Sequence, residues 1–185
     1  IDQSVFVSFE EKYAACGVFK VDINNPSKRF KINIHNNTIR DVQHCPDQGI
    51  ILTASIDKQI RLTDIKTHKL AMHYQLPSLA WACAWRSDDT NYCFCGLDDG
   101  TLVVYDLRQT KTCLSTSKVD APPNIKPSIS SLQYITSDDE SVRGVLASSL
   151  GGGTLFFSQN DAYKKSLILP GVSASVSFES LTGLC

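Results

Sequence analysis

Three short runs in this sequence recur at one fixed distance. Val21-Asp22-Ile23, Thr63-Asp64-Ile65 and Tyr105-Asp106-Leu107 place an aspartate at 22, 64 and 106, which is 42 residues apart each time. Four residues before each aspartate sits an aliphatic side chain: Val18, Ile60 or Leu102. Three residues before Ile60 and Leu102 sit Asp57 and Asp99, each within a turn-forming run. A second register agrees with the first. Ile39-x-x-Val42-x-His44, Ala80-x-x-Cys83-x-Trp85 and Ile129-x-x-Leu132-x-Tyr134 share one pattern, and Ser173-x-x-Val176-x-Phe178 is a weaker fourth copy. A fixed period of this length constrains the fold more than any composition does. Each unit is too small to bury its own apolar surface, so neighbouring units must stack.

The units are made of strands. Ile50-Ile-Leu-Thr-Ala-Ser, Thr101-Leu-Val-Val-Tyr and Thr154-Leu-Phe-Phe are short β-branched or aromatic runs. Turn residues bracket them: Pro46-Asp47-Gln48-Gly49, Asp98-Asp99-Gly100 and Gly151-Gly152-Gly153. No stretch holds helical apolar spacing for long enough to predict an amphipathic helix. A period near 42 with four strands per unit predicts an all-β, WD-repeat propeller of stacked blades. An aspartate in the turn between the second and third strands should accept backbone N–H groups and fix that turn. Ser115–Ser128, with Pro122, Pro123 and Pro127, lengthens the third repeat as an extended fourth strand and a loop. The acidic run Ser137–Arg143 lengthens the next one.

Several of these residues match a known family. The run Thr53 to Leu62 (TASIDKQIRL) resembles the central hairpin of WD repeats, as does Cys95 to Leu102 (CGLDDGTL). More narrowly, the stretch from Ile39 to about Arg108 resembles the WD-repeat domain of RING-finger and WD-repeat ubiquitin ligases. The matching elements are Ile39-Arg40, Leu52-x-Ala54-Ser55-x-Asp57, Ile60-x-Leu62-Thr63, Trp81-x-Cys83-x-Trp85, Asn91-Tyr92, Gly96-Leu97 and the run Leu102 to Arg108. Thr63, where most WD repeats carry Trp, is shared with that family. Weaker similarity continues through Gly144-Val-Leu-Ala and Leu169-Pro170 to Phe178. The resemblance implies the partner-binding end of a ligase that acts on replication protein A in the DNA damage response, in the nucleus and secondarily the cytoplasm. The catalytic RING and its zinc would lie outside this stretch, so the resemblance implies no cofactor here and no catalytic residue. The alternative is a WD-repeat scaffold with no link to ubiquitin.

The residues that look reactive have structural explanations. The WD-repeat pattern implies a hydrogen-bonded network of His35, Ser55 and Asp57, with Thr63 in the place of Trp and Asp99 as the corresponding turn residue of the next repeat. Such a set imitates a Ser-His-Asp triad, yet its positions recur in a repeat without catalysis. Ala147-Ser148-Ser149-Leu150-Gly151 lacks the helix of a nucleophile elbow, and Gly151-Gly152-Gly153 lacks the helix and lysine of a phosphate loop. For partner binding, Arg40 and Trp81 occupy the same place in successive repeats, at the start of the first strand. Ile56 and Asp98 each precede a turn aspartate and face the same rim. Arg and Trp are common interface anchors.

Composition excludes other classes. Eighteen Lys and Arg against nineteen Asp and Glu give a net charge of −1, which argues against a nucleic-acid surface. No apolar run approaches the ~18 residues of a membrane span. Seven cysteines without a C-x-x-C pair suggest buried thiols in a reducing compartment rather than a zinc site. At 42 residues per unit, 185 residues make about 4.4 blades, where a closed propeller of this class takes about seven. The expected divisions are a partial blade at 1–35, blades at 36–77, 78–126 and 127–171, and the start of another at 172–185. The expected whole is an open arc with exposed terminal faces.

Overall fold

The computed structural model describes residues 4–11, 15–45, 47–109 and 111–177, apart from the side chain of Leu167. All of its sheets are antiparallel meanders in chain order. The first has three strands: β1 (Ser4–Glu10), β2 (Cys16–Asp22) and β3 (Asn25–His35). The second has four: β4 (Ile39–Cys45), β5 (Ile50–Ser55), β6 (Gln59–Asp64) and β7 (Leu70–Gln75). The third contains β8 (Ala80–Trp85), β9 (Tyr92–Leu97), β10 (Thr101–Asp106) and β11 (Ser115–Lys118). The fourth contains β12 (Ile129–Ile135), β13 (Gly144–Ser149), β14 (Gly153–Ser158) and β15 (Lys164–Leu169). Each four-stranded meander is a WD-repeat blade. β11 is only four residues long, shorter than the extended strand expected there. The prolines at 122, 123 and 127 lie beyond it in a loop, where their missing N–H groups cost no sheet pairing. Residues 172–177 form no strand, and Phe178, the last residue of the fourth pattern, lies outside the described residues.

The 42-residue period has one physical basis: the same turn is built three times. At the end of β2, Asp22 Oδ1 accepts the N–H of Asn24 at 2.9 Å. At the end of β6, Asp64 Oδ1 accepts from Lys66 N at 2.9 Å and Thr67 N at 2.7 Å. At the end of β10, Asp106 Oδ1 accepts from Arg108 N at 3.0 Å. A carboxylate bonded to the N–H two residues on is an Asx turn, which stops a strand and reverses the chain. The turn one strand earlier is also periodic. Asp57 Oδ1 accepts from Gln59 N at 3.1 Å and Asp99 Oδ1 from Thr101 N at 3.0 Å. The residue after each turns left-handed, Lys58 at φ 63° and Gly100 at φ 81°.

The chain divides into two compact units, residues 1–83 and 84–185. In the first, the faces of the first and second sheets close over Val18, Ile32, Ile34, Ile39 and Ile51, with Phe6 and Val42 at the margin. These β-branched side chains are stiff and suit a pleated, two-sided surface. In the second unit, Phe94, Ile129 and Phe157 are fully buried, and Phe94 stacks on Tyr134 with centroids 5.7 Å apart. Gly96 on β9 lets β12 approach: a Cβ there would lie 2.5 Å from Ile129 Cγ2. Gly96→Ala should therefore lower the unfolding free energy by about 1–3 kcal/mol. Adding Ile129→Ala should restore part of that loss in urea unfolding, whereas strictly additive losses would contradict the packing.

Candidate functional site

Two sets of residues bear on function, a buried polar network and an exposed rim. The network starts at His35, the last residue of β3, whose ring is fully buried. Its Nδ1 lies 2.8 Å from Asp57 Oδ2 and its Nε2 lies 2.8 Å from Thr53 Oγ1. The hydroxyl in the network is thus Thr53, not Ser55 as the sequence pattern suggested. The reason is position along the strand, since alternation puts both residues on one face. Thr53 sits in mid-strand, while Ser55 is at the strand end and serves the turn. Ser55 Oγ accepts from Asp57 N at 3.1 Å and is 3.0 Å from the carbonyls of both Asn37 and Thr38. Ser149 makes the same contacts in the fourth blade, reaching Pro127 O and accepting from Gly152 N.

The network is structural in its chemistry. His35 donates Nδ1–H to Asp57. A neutral ring accepts the Thr53 hydroxyl at Nε2, whereas a protonated ring donates to it and frees that hydroxyl for the Arg61 carbonyl at 3.2 Å. The members are bonded to one another, and the Thr53 side chain that carries the hydroxyl is fully buried. Burial pushes the Asp57 carboxyl upward, but the hydrogen bond and charge of His35, with the Asn36 N–H and Arg61, hold it below its ordinary value of 3.8. Thr63 stands where a tryptophan is usual, and its buried hydroxyl finds no hydrogen-bond partner among the described residues.

The rim begins at a β-bulge. The pairing of β4 with β5 slips between Ile39 and Asp41, so Arg40 is unpaired and turned outward. Arg40 is exposed, and its guanidinium carbon lies 4.2 Å from the centre of the half-buried Trp81 ring. Beside it, Asp41 Oδ2 accepts the N–H of Cys83 at 2.9 Å, tying β4 to the middle of β8. Ile56 is half-buried at the same end of the second blade, and its N–H bonds to Thr38 O at 3.1 Å. Asp98 belongs to the second unit, where it is half-buried and its carbonyl accepts the Ser128 hydroxyl at 2.8 Å.

The sequence reading missed Asp41, Thr53 and one further cluster. In the second unit, Arg86 lies over the rings of Tyr92 at 5.1 Å and Tyr134 at 5.7 Å. Arg108 also lies over the Tyr92 ring, 5.2 Å from its centre, donating to the Tyr92 hydroxyl at 2.6 Å and to Asp106 Oδ2 at 2.7 Å. The Arg108 guanidinium holds the Asp106 carboxyl down at about 2. Burial pushes the nearby Tyr163 hydroxyl up to about 12. Tyr134 stood in the repeat pattern and Tyr92 among the matching elements, but nothing in the spacing announced that the arginines would lie over them. Among the described residues, no group of three or more His, Cys, Asp or Glu could hold a metal. No helix is long and apolar enough to cross a membrane.

Residues 5–185 match the family described as the E3 ubiquitin-protein ligase RFWD3 WD40 domain. The chain belongs to the RFWD3 WD40 domain family. It is 29% identical to E3 ubiquitin-protein ligase RFWD3 of Mus musculus over 176 residues, covering 91% of the chain and 22% of that protein. Against the Homo sapiens protein of the same name, identity is 32% over 97 residues, 52% of the chain and 12% of that protein. A WD repeat-containing protein 55 homolog of Drosophila persimilis is 28% identical over 149 residues, 76% of the chain and 28% of that protein. The chain thus spans about a fifth of the length of the mouse relative. As an RFWD3 WD40 domain, it is a protein-interaction module.

The network yields a pH prediction. Because the Asp57 carboxyl is held low in the folded state, its stabilisation is present above about pH 4 and is lost as pH falls through the folded value. Asp57→Ala should cost about 1.5–3 kcal/mol at pH 7, and progressively less below pH 4. Urea unfolding at both pH values reads this, and an equal loss at each would contradict it.

Proposed function

We propose that this chain is the substrate-recognition end of a RING-type E3 ubiquitin ligase in the DNA damage response, docking replication protein A in the nucleus. Membership of the RFWD3 WD40 family carries this reading. The rim supplies its chemistry: Arg40 and Trp81 form the anchor, with Ile56 beside it. Asp98 is the counterpart of Ile56 in the next repeat, 42 residues on. An exposed guanidinium on an aromatic face is the kind of group that dominates protein interfaces. The chain contributes binding, and ubiquitin transfer with its zinc belongs to a RING supplied by another part of the protein.

A scaffold role without ubiquitin is the second reading, favoured by the similarity to the WD repeat-containing protein 55 homolog. Joint substitution Arg40→Glu and Trp81→Ala in the full-length protein separates the rim from the fold. Capture of replication protein A should be lost, while the thermal unfolding transition stays within a few degrees of the wild type. Unchanged capture would remove the rim from the reading. Failure of the wild type to capture replication protein A at physiological salt would remove the partner and leave the scaffold.

A further inference from the structure

The rim around Arg40 is chemically one-sided. Arg86, Arg108 and Arg143 each have a carboxylate within ion-pair distance: Asp88, Asp106 and Glu140. Arg40 has none among the described residues, although it is exposed. The Trp81 ring attracts its charge but offers no lone pair, so the five guanidinium N–H donors meet no acceptor there. The indole N–H of Trp81 is buried, so the ring presents only its face to the guanidinium and adds no donor at the surface. What the pair offers a partner is therefore the donors and positive charge of the Arg40 guanidinium.

The neighbouring carboxylates are bonded elsewhere and form no ion pair with Arg40 among the described residues. Asp41 follows Arg40 in the chain, but its oxygens are engaged elsewhere. Oδ1 accepts from Val42 N at 2.8 Å and Gln43 Nε2 at 3.4 Å, and Oδ2 from Cys83 N at 2.9 Å. Glu10 accepts the Thr38 hydroxyl at 2.7 Å and forms no ion pair with Arg40. Asp57 is held by His35. The bulge matters equally, because it removes Arg40 from the strand pairing and turns it outward, where a regular strand would keep it in register.

We propose that the Arg40–Trp81 pair is a receptor for a carboxylate side chain, so that the segment of a partner protein seated there carries Asp or Glu. This rests on the reading of the rim as the docking surface and adds the chemistry of what docks. A basic segment is excluded by repulsion from the guanidinium, and a purely apolar one leaves its donors without an acceptor.

The test is selection of an unphosphorylated random peptide library on the full-length protein. Recovered peptides should be enriched in Asp and Glu. Their binding should weaken about tenfold with Arg40→Gln, weaken less with Arg40→Lys, and fall with added salt. Recovery of no peptide, of peptides without acidic enrichment, or of peptides that Arg40→Gln binds unchanged would overturn the proposal. An unaltered unfolding transition of Arg40→Gln keeps the comparison valid, and Trp81→Phe, which keeps an aromatic face, should preserve the acidic preference. Replication protein A capture is read in parallel on the same proteins. Capture without any acidic preference overturns the carboxylate receptor and leaves the docking reading. An acidic preference that depends on Arg40, without capture, supports the receptor and removes replication protein A as its occupant.

Discussion

A four-stranded meander has two apolar faces and can bury neither alone, and the rest of this structure follows from that. The strands are short and rich in Ile, Val and Leu, with side chains alternating between two faces that both need cover. Within the first unit the cover for one sheet is the next, through Val18, Ile32, Ile39 and Ile51. Within the second, Ile129 lies against Gly96, so the two sheets meet without an intervening Cβ. Stacking leaves the side chains of the blade faces little freedom to act on anything else. The polar chemistry is therefore left to turns, strand ends and bulges.

Polar groups serve the same constraint in a different way. A blade needs three sharp reversals, and aspartates placed one period apart supply one of them each time by the same carboxylate-to-N–H bond. The serines at the ends of β5 and β13 tie those strands to the loop entering the blade. The His35 network ties the last strand of one sheet to the next sheet through Asp57 and Thr53. Its resemblance to a catalytic triad ends at that point, since its bonds run among its own members and to the backbone of Asn36, Gln59 and Arg61.

Most of the fold could be read from the sequence because the repeat is written in residues with local, geometric roles. Turn aspartates and strand runs depend only on their neighbours, so Asp22, Asp64 and Asp106 announced their turns. The hydroxyl of the network was harder. Thr53 and Ser55 are two residues apart on one strand face, and which one His35 reaches depends on where the strand ends, which spacing does not give. The rim was legible in identity, since Arg40 and Trp81 recur in the same place, but not in contact. The bulge at Arg40 and the Asp41 tie to Cys83 depend on how two blades meet. The Arg86–Tyr92–Arg108 cluster was invisible for the same reason: its tyrosines and arginines come from separate strands and turns.

The stacking of Arg40 on Trp81 has a consequence for the speed and cost of recognition. A free arginine side chain samples many rotamers, and immobilising one on binding costs roughly 0.5–1.5 kcal/mol. Here the indole face already restrains the guanidinium, and the Asp41–Cys83 bond keeps the two strands that carry the pair from drifting apart. In the docking role proposed for it, the pair would meet a partner with its geometry largely set during folding, so less of the contact energy would be consumed in ordering it.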